Sequence, residues 1–351
     1  MKLLLRYDRI FHSDQLWGIF MKIVALDIQT LFPEAEDDNC FEINEQELGR
    51  LCGADDELIC CRNMNVNHFG SMERLNEAVA TAIANADVVI TNKVKLNKAN
   101  LNAGIKLILV SGTGTNNITF ADTDALGIRV QNCVAYGVNS VVQHTLGLML
   151  SLINNITVAD RHVRQGDWSR SENFCICRYF FPLELKSSTI GIIGCGAIGR
   201  GVAEAASALG MKVLLAERRG AQQIRDGRTA FEEVLAESDV ISVHCPLTPQ
   251  TAGLISDREL SLMKRNAYLI NVARGGVVDE HALYRALTEK RIAGAATDVL
   301  TEEPPRENIL LSDLDNLIVT PHIAWGSRNA RMEIIRQMSV HIAELKKAAT
   351  A

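Results

Sequence analysis

The sequence has little of what marks disordered, secreted or nucleic-acid-binding proteins. Only 7 of its 351 residues are proline and no low-complexity tract is present, which argues against extended disorder. Acidic side chains outnumber basic ones, 42 to 36, so the formal net charge of -6 gives no electrostatic footprint for nucleic acid. The uncharged run Leu3-Leu4-Leu5 is too short for the apolar core of a signal peptide. These absences favour an ordered globular protein.

The 9 cysteines show no pattern of pairing. Their number is odd and their spacing is irregular, which is typical of reduced thiols in a cytoplasmic protein. Cys60-Cys61 and Cys175-x-Cys177 lack a second pair at the spacing of zinc ligands. We therefore expect core or surface thiols, a cytoplasmic location and no bound metal.

Length and patterning predict two α/β domains. With 351 residues, of which 47% are hydrophobic, the chain is long enough to form two cores. From Met21 onward, short apolar runs alternate with helical patterns, which indicates parallel sheets with crossover helices. Residues 1–20 precede this alternation, and we expect them to form an extension outside the fold. A targeting role for the extension is the alternative.

The stretch from Asn139 to Gln165 predicts one long helix, with Asn139 as a candidate cap. Its apolar residues recur at intervals of three and four and cover most of the circumference, which indicates burial on more than one side. Polar residues including Gln143, His144 and Asn154 interrupt the apolar run, so we do not expect a membrane span. Such a helix would suit a position between domains or at a subunit interface.

A glycine-rich turn between two apolar runs is the strongest motif in the chain. Residues 190–193 read as a buried strand and lead directly into Gly194-x-Gly196-x-x-Gly199, after which a helical pattern begins. The first glycine permits a tight turn, the second lets backbone approach a pyrophosphate, and the third lets the helix pack close to the sheet. The helix start offers unpaired N–H groups to the phosphates. In this context the motif predicts a dinucleotide site.

The next strand pattern ends at Glu217, 18 residues after Gly199. A carboxylate at this position can accept hydrogen bonds from the ribose hydroxyls of the adenosine. Its negative charge would repel a 2′-phosphate, which favours NAD over NADP. Arg218 and Arg219 follow immediately, and such arginines could instead accommodate that phosphate. NAD is therefore the expected cofactor, with the choice against NADP still open.

Side chains that could perform chemistry follow predicted strands of the same region: Arg274, the acid pair Glu302-Glu303, and His322. In doubly wound sheets, ligands bind beyond the carboxyl ends of the strands. Histidine exchanges protons near neutral pH, a neighbouring carboxylate can orient it, and a guanidinium can hold a keto acid with paired N–H groups. Each residue alone would more often be structural. Together at one sheet edge they indicate catalysis, whereas His244 at that edge reads as a hydrogen-bonded structural histidine.

Three motifs together resemble those of the D-isomer-specific 2-hydroxyacid dehydrogenases. The motifs are Gly194-x-Gly196-x-x-Gly199, Asn271-Val-Ala-Arg274-Gly275-Gly276-Val-Val-Asp279-Glu280 and Thr320-Pro321-His322-Ile-Ala-Trp325. The likeness runs from about Met21 to the C-terminus. The run Ile90-Thr-Asn-Lys93-Val, with Gly112-Thr-Gly-Thr-Asn-Asn117 and Trp325, resembles the glycerate dehydrogenase (hydroxypyruvate reductase) branch in particular.

The resemblance implies a fold and its division into domains. It implies an α/β protein in which a doubly wound parallel-sheet Rossmann domain binds NAD. This domain would span residues 130–324 and be inserted in a smaller, flavodoxin-like α/β substrate domain. The substrate domain would consist of residues 21–129 and a C-terminal return helix within 325–351.

The resemblance also implies roles for individual residues. By motif, the catalytic residues would be Arg274, Glu303 (rather than Glu302) and His322. The implied cofactor contacts are Gly194, Gly196, Ala197, Ile198, Gly199, Glu217, Cys245, Val272, Ala273, Arg274, Asp298 and His322. The implied substrate contacts are Lys93, Thr113, Gly114, Arg274 and Trp325. Each of three residues has an alternative interpretation: Lys93 as a solvent-facing lysine, Trp325 as a buried aromatic, and Asp298 as a helix or turn cap.

The activity implied is NADH-dependent reduction of hydroxypyruvate to D-glycerate by a homodimer. D-lactate, glycolate or glyoxylate, and phosphoglycerate remain alternative substrates. Formate dehydrogenases share the fold but pair glutamine with histidine, whereas Glu303 is an acid. A corepressor-like protein that senses NAD is the alternative of a different class. It would bind NADH tightly with negligible turnover of hydroxypyruvate.

Overall fold

The chain forms two compact units, one made of residues 1–136 and 326–351 and the other of residues 137–325. This computed structural model describes residues 3–4, 20–27, 51–52, 56–61, 64–176 and 182–350. The first unit extends past the expected boundary at residue 129, because the strand that begins there still pairs with the preceding strand of the same sheet. The return helix begins at Arg328 and belongs to the first unit.

The first unit is built on a six-stranded sheet. Its strands are β1 (Leu3–Leu4), β2 (Lys22–Ala25), β3 (Glu57–Cys60), β4 (Val88–Thr91), β5 (Leu107–Val110) and β6 (Arg129–Asn132). The spatial order is β1-β3-β2-β4-β5-β6, and all pairs are parallel except β1 with β3. Without β1 this is the flavodoxin-like order 2-1-3-4-5. Part of the expected extension thus pairs with the sheet, and most of the rest of it lies outside the described residues.

Four of the described helices belong to the first unit, and strands β4 and β5 of its sheet are buried along their whole length. The helices are α1 (Val66–Phe69), α2 (Met72–Ile83), α3 (Phe120–Ala125) and, from the C-terminus, the helix Arg328–Thr350. Strands β4 and β5 consist almost entirely of apolar residues, as expected for strands of a parallel sheet that are buried on both faces. The C-terminal helix is tied to the unit by Gln337, whose side chain bonds both backbone groups of Val134, and by an ion pair of Lys346 with Asp56.

The second unit is a doubly wound parallel sheet, as the sequence predicts. Its strands are β7 (Thr189–Ile193), β8 (Lys212–Leu215), β9 (Val240–Val243), β10 (Tyr268–Asn271), β11 (Gly294–Thr297) and β12 (Leu317–Val319). The spatial order is β12-β11-β10-β9-β7-β8. The chain leaves β7 toward β8 on one side and returns to β9 on the other. The carboxyl ends of β7 and β9 therefore form the switch point at which open α/β sheets bind ligands.

Six α-helices are described in the second unit, before the chain returns to the first unit at residue 326. They are α4 (Val138–Ile153), α5 (Ile156–Arg164), α6 (Ala197–Ala208), α7 (Phe231–Glu237), α8 (Asp257–Leu262) and α9 (Glu280–Thr288). We label the C-terminal helix Arg328–Thr350 α10. Helix α6 follows the glycine turn, and α4 packs closely on it. A Cβ added to Gly201 of α6 would lie 2.7 Å from the side chain of Val142 in α4.

The prediction of one long helix over 139–165 was wrong. The chain breaks into α4 and α5 because Asn155 takes a left-handed conformation, with φ of 50° and ψ of 38°. Asparagine is one of the few residues other than glycine that adopts this conformation readily. Gly137, not Asn139, stands at the N-cap of α4. Among the described residues, no single helix is long and apolar enough to cross a membrane. Helices α4 and α5 would together have sufficient length and apolar composition, but they are bent by 57° relative to each other.

Candidate active site

The three fingerprint glycines occupy three different environments. Gly194 has φ of 95°, and a Cβ there would lie 2.5 Å from the backbone nitrogen of Cys245 at the end of β9. A Cβ on Gly199 would lie 2.1 Å from the carbonyl oxygen of Gly194. Around Gly196, by contrast, a Cβ would meet nothing within 4 Å. Packing within the protein therefore requires the first and third glycines, whereas the second borders open space that a ligand can enter.

The start of α6 points to what that open space accepts. Gly196 is the N-cap of this 12-residue helix, and Ala197 and Ile198 form its first turn. The N–H groups of a first helical turn have no partners within the helix, and the helix dipole adds a partial positive charge there. An open backbone approach beside such a helix end fits the pyrophosphate of a dinucleotide. The geometry of the fingerprint thus agrees with the cofactor expected from the sequence.

Glu217 lies two residues beyond the end of β8, at the same edge of the sheet as the fingerprint. Its side chain is only 3% exposed, and its carboxylate is bound by the guanidinium of Arg225 and the backbone N–H of Arg218. These hydrogen bonds lower the pKa of Glu217 to about 2, so the group is ionised at neutral pH. Arg218 and Arg219 were the expected neighbours of this acid, and the contact with Arg225 was not foreseen.

His322 and Glu303, expected side by side, are in direct contact. The Nδ1 atom of His322 lies 2.6 Å from Oε2 of Glu303, and both side chains are 29% exposed. The other carboxylate oxygen, Oε1, accepts a hydrogen bond of 2.9 Å from the backbone N–H of Leu300. With Nδ1 bound in this way, the Nε2 atom of the imidazole is the one left to meet a reacting group. Glu303 is therefore placed to fix the orientation of the imidazole.

A buried aspartate holds the loop that carries His322. The carboxylate of Asp298, at the end of β11, accepts hydrogen bonds from Thr320 Oγ1 at 2.6 Å, Ile323 N at 3.0 Å and Ala324 N at 2.9 Å. The carbonyl oxygen of Asp298 accepts from the backbone N–H of His322 at 2.8 Å. These bonds hold His322 at a φ of 55°, which few residues with side chains adopt. The carboxylate thus caps a turn, the alternative interpretation of Asp298, and a contact with the cofactor stays a prediction.

Two further side chains support the same loop. Nε2 of His144, on α4, lies 3.1 Å from Thr320 Oγ1 and 3.5 Å from Asp298 Oδ1. The indole N–H of Trp325 donates to the carbonyl oxygen of His322 at 3.1 Å. No role was expected for His144, because nothing in the local sequence pattern connects α4 with a loop far along the chain. Trp325 remains a predicted substrate contact, and the structure adds its bond to the histidine loop.

Arg274 stands in a loop whose backbone is built around Asn271, the last residue of β10. The amide of Asn271 donates to the carbonyl oxygen of Arg274 at 3.0 Å and accepts from the N–H of Ala273 at 3.1 Å. Gly275 then packs against the backbone of Leu300, since a Cβ on it would lie 2.0 Å from the carbonyl carbon of that residue. Leu300 is the residue whose N–H binds Glu303. The loops of Arg274 and Glu303 are therefore in contact.

The guanidinium of Arg274 is exposed at this edge. In the described part of the chain its only hydrogen bond is from Nη1 to the carbonyl oxygen of Ala273, at 2.7 Å. Most of its five N–H donors are thus available to a ligand. The neighbouring Val272 is buried at the end of β10, whereas Arg274 is exposed.

The predicted substrate residues of the first unit also lie at the carboxyl ends of their strands. Lys93 follows β4, and Thr113 and Gly114 follow β5, the parallel neighbour of β4. The lysine side chain is exposed, while its backbone N–H donates to the carboxylate of Asp27 at 2.5 Å. The carbonyl oxygen of Thr113 accepts from the amide of Asn132 at 2.8 Å. Binding of substrate by these residues stays a prediction.

His244 follows β9 and is half-buried. Its Nε2 lies 2.8 Å from the hydroxyl of Ser242, as expected for a hydrogen-bonded structural histidine. Burial lowers the pKa of His244 to about 4, so the imidazole is neutral at pH 7. Within the part of the chain that the structure describes, no cluster of three or more histidine, cysteine or acidic side chains could hold a metal ion.

Comparisons with known proteins identify the family of this chain. A family model described as D-isomer specific 2-hydroxyacid dehydrogenase, NAD binding domain, matches residues 146–324. A glycerate dehydrogenase from Methylorubrum extorquens is 43% identical over 268 residues, which cover 75% of this chain and 83% of the relative. A glyoxylate reductase from Thermococcus litoralis is 37% identical over 247 residues, with coverage of 69% and 74%.

Among solved structures, an NAD-dependent formate dehydrogenase from Staphylococcus aureus in complex with NAD has a TM-score of 0.74. It is 25% identical, and the match covers 93% of this chain and 95% of that structure. The region matched by the family model contains the glycine fingerprint together with Arg274, Glu303 and His322. The chain therefore belongs to the D-isomer-specific 2-hydroxyacid dehydrogenases, oxidoreductases whose cofactor is NAD.

Proposed function

We propose that this protein reduces hydroxypyruvate to D-glycerate with NADH. The observation that carries the proposal is the His322–Glu303 pair, with Nδ1 and Oε2 2.6 Å apart, in loops that contact that of Arg274. Similarity to a glycerate dehydrogenase over 83% of its length supports hydroxypyruvate as the substrate. Similarity to a glyoxylate reductase makes glyoxylate the nearest alternative.

Each of the three side chains has a separate task in this proposal. When bound, NADH supplies the hydride that reduces C2 of the keto acid. Arg274 holds the carboxylate of the substrate through paired N–H groups and so orients C2. His322 donates the proton from Nε2 to the oxygen on C2 as charge develops there. Glu303 keeps the imidazole in position through Nδ1 and offsets its positive charge.

A panel of 2-keto acids assayed with NADH tests the substrate. Hydroxypyruvate, glyoxylate, pyruvate and 3-phosphohydroxypyruvate should be compared by kcat/KM under one set of conditions. We expect the highest value for hydroxypyruvate and D-glycerate as the product by chiral chromatography. A higher value for any other member would refute the substrate. NADH binding with negligible turnover of every member would indicate the corepressor-like alternative instead.

Replacing Glu303 with glutamine should lower kcat by roughly 10²-fold, because an amide neither offsets the charge of the imidazole nor reliably orients it. Glu302→Gln is the matched control, since it removes the same charge from the neighbouring, exposed position. We expect this control to keep nearly all activity. Steady-state kinetics of both variants at saturating NADH make the comparison. Equal losses in the two variants would contradict the role of Glu303.

We also propose a cytoplasmic homodimer. Several large apolar side chains of α5 and the loop after it are exposed, among them Ile156, Val163, Trp168 and Phe174, the last by 90%. Several large exposed apolar side chains within one short segment are typical of an interface between protein chains. Sedimentation equilibrium should give twice the chain mass of 38.6 kDa. Ile156→Glu should shift the protein toward the monomer, and a monomeric wild type would refute the proposal.

A further inference from the structure

The carboxylate expected to receive the adenosine ribose is already fully engaged by the protein itself. Oε2 of Glu217 accepts from Arg225 Nε at 2.6 Å, and Oε1 accepts from Arg225 Nη2 at 2.7 Å. Oε1 also accepts from the backbone N–H of Arg218 at 2.8 Å, and the backbone N–H of Arg225 lies 3.4 Å from Oε2. Both oxygens are therefore used, in a two-pronged ion pair supported by backbone donors.

This pairing changes what Glu217 can do to a nucleotide. A free carboxylate offers acceptor sites to the two ribose hydroxyls and repels a phosphate on the 2′-oxygen. The guanidinium of Arg225 fills those acceptor sites and neutralises the charge. Glu217 in this state neither favours the ribose diol strongly nor excludes the phosphate.

Arg225 also has an unused edge. Its Nε and Nη2 face Glu217, and among the described residues Nη1 has no hydrogen-bond partner. The side chain is 62% exposed, whereas that of Glu217 is 3% exposed, so the outer edge of the guanidinium is open to solvent. A planar guanidinium can bind a carboxylate along one edge and a phosphate along the other.

The surrounding charge favours an anion at this point. Residues 217–228 contain four arginines and two acids. Arg219 is paired with Glu259, which lies outside this segment, and Arg228 bonds a backbone carbonyl. An added phosphate would therefore approach a segment with excess positive charge.

We propose that Arg225 sets the nucleotide preference of this protein, so that it binds NADP(H) as well as NAD(H). The outer edge of Arg225 receives the 2′-phosphate while the inner edge keeps Glu217 neutralised. In the absence of a phosphate, Arg225 competes with the ribose hydroxyls for Glu217 and weakens NAD(H) binding. The inference rests on the dinucleotide site of the second unit and not on which keto acid is reduced.

Binding of redox-inactive nucleotides tests this assignment directly. Isothermal titration calorimetry should be performed with ADP-ribose and 2′-phospho-ADP-ribose on the full chain. For the wild type we expect dissociation constants within about tenfold of each other. In Arg225→Ala, the dissociation constant of 2′-phospho-ADP-ribose divided by that of ADP-ribose should increase by roughly 100-fold. The reason is that the phosphate loses a charge-assisted partner and meets an ionised carboxylate.

The chain offers a closely matched control. Arg336 makes the same two-pronged pair with Glu333, with Nε and Nη2 each 2.7 Å from a carboxylate oxygen, on α10 of the other unit. Arg336→Ala should leave the ratio of the two constants unchanged. Arg225→Lys, which keeps the charge but loses the planar fork, should give an intermediate ratio.

Three outcomes would overturn the assignment. They are an unchanged ratio in Arg225→Ala, a wild type that already excludes 2′-phospho-ADP-ribose by more than about 1,000-fold, and a wild type that binds neither nucleotide. Thermal unfolding of each variant, without nucleotide, verifies that the fold is retained. Because neither ligand is a substrate, failure here would leave the hydroxypyruvate proposal to its own assay.

Discussion

Substituting asparagine for His322 is expected to lower kcat for hydroxypyruvate reduction by about 10³-fold, which corresponds to about 4 kcal/mol of transition-state stabilisation. The reason is the loss of the proton donor that faces the oxygen on C2. Asparagine is the replacement of choice because His322 has a φ of 55°, and asparagine adopts this left-handed conformation more readily than alanine or glutamine. The variant thus removes the imidazole while preserving the loop.

NADH binding separates a chemical effect from a structural one. The dissociation constant of NADH, followed by its fluorescence, should stay within about threefold of the wild type, since the imidazole is proposed to act on the substrate. His341→Asn is the matched control: His341 also faces a glutamate, Glu344, at 3.4 Å, but on α10 of the other unit. Loss of NADH binding together with turnover, or an equal loss in the control, would contradict the role of His322.

The strand patterns and the fingerprint were sufficient to predict the fold. Strands buried on both faces are continuous apolar runs, and the glycines at 194, 196 and 199 lie between a strand pattern and a helix pattern, the context of a dinucleotide-binding turn. His322 and an acid at 302 or 303 were expected to be neighbours because both follow parallel strands, and such strand ends meet at one edge of the sheet. The choice of Glu303 came from the resemblance to the family. What the sequence predicted well is therefore what chain order and strand direction determine.

The missed features depend on contacts between residues that no local pattern connects. His144 bonds Thr320 across 176 positions of the chain, and only the packing of α4 on the sheet brings them together. The break at Asn155 was missed because an asparagine inside an apolar helical pattern does not by itself predict a left-handed conformation. Arg225 was missed for a similar reason, since its eight-residue separation from Glu217 spans a loop whose path the sequence does not specify.

Replacing Arg274 with alanine is expected to lower kcat/KM for hydroxypyruvate by roughly 10³-fold. Hydrogen bonds to a charged group contribute about 1.5–3 kcal/mol each, and the proposed carboxylate contact has two of them. The exposed guanidinium donates only one bond to the described part of the protein, to Ala273, so its removal leaves no buried group without a partner. The loss should therefore appear in kinetics and not in the melting temperature.

A substrate without a carboxylate identifies the group that Arg274 binds. Hydroxyacetone replaces the carboxylate of hydroxypyruvate with a methyl group and keeps the ketone that accepts the hydride. If Arg274 holds the carboxylate, wild type and Arg274→Ala should reduce hydroxyacetone with kcat/KM values within about threefold, because the interaction is already absent. If the arginine instead stabilises the reacting oxygen, the variant would lose as much activity toward hydroxyacetone as toward hydroxypyruvate. Arg274→Lys refines the result, since a retained charge without the paired N–H groups should recover binding only in part.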